Sequence, residues 1–223
     1  MEAIGERSDH LDREIVAATK RADSAARIFR KACAALSNGR SRASVELALS
    51  VAEGLAELGM SAAEFRTELT ARAEPDARGA ESVEFYVSAN RGERALPLTR
   101  VVSGGELSRL MLVLKQIIAE RDAVSTLVFD EVDTGISGRI AAAVGHRLST
   151  LASSRQTLVI THLPQIASLA DHHFSVRKAE REARAVTEVL RLEGDARAEE
   201  IASLLAGDTV SDAARRHAQE MLK

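Results

Sequence analysis

The sequence predicts an α/β protein in which a parallel β-sheet core with flanking strands follows a long helical segment. Two observations carry that expectation. Up to about residue 58 apolar residues recur at helical spacing, whereas from Ser103 onward helical stretches alternate with short apolar runs. The runs Leu127-Val128-Phe129 and Leu158-Val159-Ile160 are apolar at every position. That is the pattern of parallel strands covered by helices on both faces.

Taken in order, the first element is a helix with a narrow seam. Ile4, Ser8, Leu11, Ile15, Ala18, Ala22, Ala25, Phe29, Ala32 and Leu36 alternate in steps of four and three, the a/d spacing of a coiled coil. Arg13, Glu14, Lys20, Arg21, Asp23, Arg27, Arg30 and Lys31 occupy the other positions. An amphipathic helix packed on its own domain is the alternative reading of such a stripe. Asn38-Gly39 is expected to end this helix, so that residues 1–38 form a coiled-coil helix and 39–223 a separate domain. A second helix over 42–58, with Val45, Leu49, Ala52, Leu55 and Leu58 on one side, should stop at Gly59. Strands follow at 65–69 and 83–87, the latter pointing Val83, Phe85 and Val87 inward. Then come helix 105–121, strand 125–130, helix 138–151, strand 156–161, helix 164–169 and strands near 172–177 and 185–192. Two closing helices should be capped by Asp195 and Ser211.

Composition narrows the function classes. With 45% hydrophobic and 28% charged residues and a formal net charge of −3, the 223-residue chain has the make-up of a globular protein. No run of 18 apolar residues exists, and the first residues lack a signal-peptide pattern, so a cytoplasmic protein with no membrane role is expected. Cys33 is alone, which leaves neither a disulfide nor a cysteine-based zinc site. Seven basic residues and one acid lie between Lys20 and Arg42, suited either to DNA phosphates or to a solvated helix face. His172 and His173, adjacent in a strand, face opposite ways and cannot share a metal. Little aromatic and basic alternation supports base stacking, and nothing supports sequence-specific DNA reading.

Three short motifs carry chemistry. Ser103-Gly104-Gly105-Glu106 opens a helix, where unpaired backbone N–H groups and the positive end of the helix dipole suit a phosphate. Asp130-Glu131 ends an apolar strand 27 residues after Ser103. One carboxylate can hold Mg²⁺ through its waters while the other orients an attacking water. Thr161-His162 ends the next strand, 32 residues beyond Asp130. Singly, each has an ordinary reading as a turn, a solvated acidic pair or a structural histidine. Together they fall where ligands bind, at the carboxyl edge of an open α/β sheet. No G-x-x-x-x-G-K loop to cradle the α- and β-phosphates occurs in the sequence. The chain thus reads as part of an ATP-hydrolysing head.

At these residues the chain resembles the ATP-binding-cassette ATPases, and within them the RecN family of DNA-repair proteins related to structural-maintenance-of-chromosomes (SMC) ATPases. The resemblance runs through residues 103–109, Phe129 to Gly138 and Thr161 to Ala167, and more weakly over nearly the whole chain, as a C-terminal half. It implies an ABC-type ATPase head, ATP and Mg²⁺ as cofactors, and head-to-head homodimers that close on ATP. Ser103, Gly104, Gly105 and Glu106 would form a signature loop reaching nucleotide held by the opposite head. Asp130 would hold Mg²⁺ through water, Glu131 would act on the attacking water, and His162 would sense the γ-phosphate. Asp133, Thr134, Gly135 and Ser137 would line the head interface. Many related ATPases carry a second Asp where Ser137 stands, leaving open which group makes that contact across the dimer. The phosphate cradle would come from an N-terminal half of the same protein, and without it the chain should be inert. DNA would be bound without sequence preference. Two other functions use the same motifs: the motor of a membrane transporter, which has no use for the heptad helix, and a structural adaptor, which has no use for Glu131.

Overall fold

In the computed structural model residues 2–100, 104–181, 184–207 and 209–223 are described, with side-chain surroundings for those outside 2–9, 120, 180, 181 and 184. The elements are α1 (Glu2–Glu57), β1 (Glu64–Asp76), β2 (Gly79–Ser88), β3 (Leu96–Pro97), α2 (Gly104–Ile117), β4 (Thr126–Phe129) and α3 (Gly138–Ala152). They continue with β5 (Gln156–Val159), α4 (Pro164–Ala167), β6 (His173–Arg181), β7 (Arg184–Leu192), α5 (Gly194–Ala206) and α6 (Asp212–Met221). The chain divides into two compact units, residues 1–48 with 66–86, and residues 49–65 with 87–223.

The expected break at Asn38-Gly39 is absent, because one helix runs from Glu2 to Glu57. A glycine inside a helix costs only about 1 kcal/mol relative to alanine, too little to interrupt long helical flanks unless the backbone is asked to turn. The turn comes instead at Gly59, which takes a φ of 78° as the Met60 N–H donates to the Leu55 carbonyl at 2.9 Å.

In the first unit the antiparallel β1–β2 arm is longer than the sequence suggests, and Asp76 closes its turn by accepting the Arg78 N–H at 2.7 Å. Arg40 of α1 ties down the arm, donating to the Arg78 carbonyl at 2.7 Å and to the Glu81 carboxylate at 3.3 Å. The seam residues Leu11, Ile15 and Phe29 are 54%, 62% and 41% exposed on this chain. Of the strand residues expected inward, Val87 is buried, but Val83 is 45% exposed.

The second unit holds the core. Val51 and Leu55 near the end of α1, Leu58 just beyond it, Leu112 of α2 and Val144 of α3 are all fully buried. Arg147 of α3 bridges to Glu57 at 2.6 Å and to Gln116 at 2.6 Å, fixing three helices at one point. Strands β4 and β5 pair in parallel with Val128 opposite Leu158 and Phe129 opposite Val159. One face of this pair is covered, with Leu127 and Phe129 buried. The other face is open: Val128, Leu158 and Ile160 are 65%, 49% and 59% exposed, against the expectation of burial on both sides. Strands β6 and β7 form an antiparallel hairpin, and Ile201, Ala202, Ala218 and Ala167 close a smaller cluster under α5 and α6. Ser211 caps α6, its hydroxyl accepting the Ala214 N–H at 3.2 Å. Asp195 does not cap α5, because the helix already starts at Gly194 and Glu193 takes the cap position.

Candidate functional site

Parallel pairing of β4 with β5 decides where the motif residues go. Both strands end at the same sheet edge, and the Ile160 N–H donates to the Phe129 carbonyl at 2.9 Å as the last rung. Asp130-Glu131 and Thr161-His162 therefore leave the sheet side by side. Asp130 is exposed, and its Oδ1 accepts the Glu131 N–H at 2.9 Å. Glu131 has a φ of 58°, the one non-glycine residue with positive φ among those described. Placing a side chain in this left-handed region costs about 1–2 kcal/mol, and such strain clusters at functional sites.

Helix α2 begins against this loop. Gly104 and Gly105 matter here for what they lack: a Cβ on Gly104 would stand 1.8 Å from the Glu131 Oε2, and one on Gly105 would stand 2.9 Å from the Thr134 Cβ and 3.1 Å from the Glu131 carbonyl oxygen. The Glu131 carboxylate thus lies at the positive end of α2 in its own chain. Ser103, the remaining member of the signature turn, lies outside the described residues. Glu106 is half-buried and exposes part of its side chain.

Gly105→Ala is expected to cost about 1–3 kcal/mol of stability, because backbone atoms must give way. Gly104→Ala should be nearly neutral, since only the end of the flexible Glu131 side chain has to swing aside. Urea unfolding of both variants checks the contrast; equal losses would show that the two glycines meet the same constraint.

Residues given no role from sequence complete the block. The Ser108 hydroxyl donates to the Asp130 carbonyl at 2.6 Å, and the Arg109 guanidinium donates to the Thr134 carbonyl at 2.9 Å and the Val132 carbonyl at 3.4 Å. Arg109 is 6% exposed with no carboxylate in ion-pair distance among the described residues, and burial pulls its guanidinium below its ordinary pKa, against the pull of Glu106. Arg109 is flanked by the buried Leu110 and lies three residues before the buried Leu112, so a charge on an apolar helix face was the available signal.

The 133–138 loop does not lie on the surface as a whole. Thr134, Gly135 and Ser137 are exposed, but Asp133 is 4% exposed and turned inward. Its Oδ2 accepts the Thr161 hydroxyl at 2.6 Å and the His162 N–H at 2.9 Å, and lies 3.1 Å from the His162 Nδ1. The Asp133 carboxylate is thus engaged within its own chain. The His162 ring remains 73% exposed. Among the described residues no cluster of three or more His, Cys, Asp or Glu could hold a metal. An exposed carboxylate such as Asp130 still fits Mg²⁺, which keeps most of its waters and takes one or two carboxylates plus substrate phosphates.

Comparison with known proteins gives the family. Over 188 residues the chain is 47% identical to the DNA repair protein RecN of Deinococcus radiodurans, covering 84% of this chain and 33% of that protein. It is 41% identical over 193 residues to RecN of Halalkalibacterium halodurans, covering 85% of this chain and 34% of that one. RecN of Mycobacterium leprae matches 97% of the chain and 40% of its own length at 39% identity. The chain belongs to the RecN family. It spans about a third of the length of the RecN proteins of D. radiodurans and H. halodurans and corresponds to C-terminal parts of RecN. No protein-family model matches it. Among solved structures, an Smc head domain with coiled coil and joint from Pyrococcus yayanosii aligns with a TM-score of 0.49 at 19% identity, over 82% of this chain and 30% of that one.

Proposed function

We propose that this chain forms the C-terminal part of an ATP-hydrolysing head that acts in DNA double-strand-break repair, closing head against head on ATP. The observation that carries this reading is the convergence of Asp130, Glu131 and His162 at one edge of the β4–β5 pair. RecN relatives of this chain are named DNA repair proteins, which gives the process. No helix among the described residues is long and apolar enough to cross a membrane.

The roles follow from position. Asp130 holds Mg²⁺ through water, Glu131 orients and deprotonates the attacking water, and His162 donates to the γ-phosphate. Gly104 and Gly105, with Ser103, offer backbone N–H groups to the nucleotide of the opposite head. Bound ATP with Mg²⁺ supplies the phosphoryl group and the charge that draws the heads together; the protein contributes positioning and charge stabilisation. Exposed Thr134, Gly135 and Ser137 face the partner head. The long helix α1 is the lever that passes closure to DNA, which is held without sequence preference. The phosphate cradle belongs to an N-terminal part of the same protein. Support for that partner comes from the open face of β4 and β5, since a parallel strand pair with Val128, Leu158 and Ile160 exposed is built to be covered.

This chain alone is accordingly expected to bind Mg-ATP weakly, with affinity restored when the N-terminal part is added. Titration calorimetry with and without that part tests it. Tight Mg-ATP binding by the chain alone would overturn the division of the site.

A further inference from the structure

Asp133 sets a physical problem of its own. A buried carboxylate with no Lys or Arg in reach is costly unless hydrogen bonds and a counter-charge compensate it. Among the described residues no lysine or arginine lies within ion-pair distance of it, and all of its donors come from Thr161 and His162. The Thr161 hydroxyl is fully used, donating to Asp133 and accepting the Leu163 N–H at 3.0 Å. The backbone turn at the end of β5 is thereby fixed, which leaves the His162 ring as the group whose state Asp133 can set.

We propose that Asp133 is the positioning residue for His162, holding the ring with Nδ1 protonated and inward so that Nε2 is presented outward from the sheet edge. A carboxylate at Nδ1 selects one tautomer, as carboxylate partners of functional histidines do elsewhere. It also places a counter-charge inside the protein, so that a ring protonated on both nitrogens can donate from Nε2 to an anionic oxygen. With 73% of the side chain exposed, the outer nitrogen is accessible to such a ligand. Asp133 touches no substrate in this arrangement and acts only through His162. The inference rests on the reading of His162 as the group that meets the γ-phosphate.

The chain as it stands allows the first test. Nitrogen-15 NMR of the His162 ring is expected to show the neutral form protonated at Nδ1, and Asp133→Asn, which keeps the shape but loses the charge, should shift the ring toward a mixture of tautomers. A ring protonated at Nε2 in the unmodified chain, or a spectrum unchanged by Asp133→Asn, overturns the proposal. In the head completed by the N-terminal part, Asp133→Asn should lower kcat roughly 10–100-fold with little change in KM for ATP, the range typical of residues that orient a ligand's partner. An unaltered kcat also overturns it. His162→Ala separates the two levels: hydrolysis at the unmodified rate in that variant removes the reading of the site, whereas the ring spectrum judges the positioning by Asp133.

Discussion

In a head assembled from this chain and the N-terminal part of a RecN protein, Glu131→Gln is expected to cut ATP hydrolysis by about 10²–10⁴-fold while ATP-bound head dimers accumulate. The amide matches the carboxylate in size and can sit on the same left-handed backbone, with φ near 58°. It can also hold a water by hydrogen bonding. What it lacks is the capacity to take a proton, so binding and closure survive while the chemical step stalls. Phosphate release measures the loss and light scattering the trapped dimers. Turnover close to that of the unmodified head would take Glu131 out of the reaction.

The second large effect concerns the signature turn. In the composite site proposed above, Ser103→Arg would put a long side chain where the γ-phosphate of the opposite head sits, so ATP-driven dimerisation should fail while each head keeps its own ATP affinity. The test lies in mixing. When one head carries Ser103→Arg and the other a disabled phosphate cradle, both lesions fall on the same composite site and the second site stays whole. Partial hydrolysis should return although each variant alone has almost none, as expected for a residue acting across a symmetric interface. Heterodimers that form without regaining activity would mean either obligate coupling of the two sites or no composite site. Wild-type hydrolysis by Ser103→Arg alone would exclude the trans role.

The parallel strand pair and the helices around it were legible because each depends on local period: β4, α3 and β5 fall within two residues of their expected bounds. Errors arose where distant packing overrides local preference. Gly39 reads as a stop, yet the helix continues through it to an end anchored by the buried Val51 and Leu55. Val128 and Leu158 have the chemistry of strands covered on both faces, but only one face finds a cover in this chain. Asp130, Glu131 and His162 could be located because strand ends are visible in sequence. The inward turn of Asp133 could not, since it depends on a hydroxyl and a backbone N–H 28 and 29 residues further on. Arg109 was visible only as a charge on an apolar helix face: its acceptors are backbone carbonyls, which leave no trace in residue identity.

On the role proposed for Glu131, its left-handed backbone sets two selective pressures against each other. Glycine or asparagine would hold this corner with less strain, so selection for folding alone runs away from the carboxylate. A lineage freed from the need to spend nucleotide would drift toward glycine or asparagine at this one corner and gain thermal resistance as it lost turnover. A RecN gene decaying into a static tether would show the change here early, while its buried leucines were still intact.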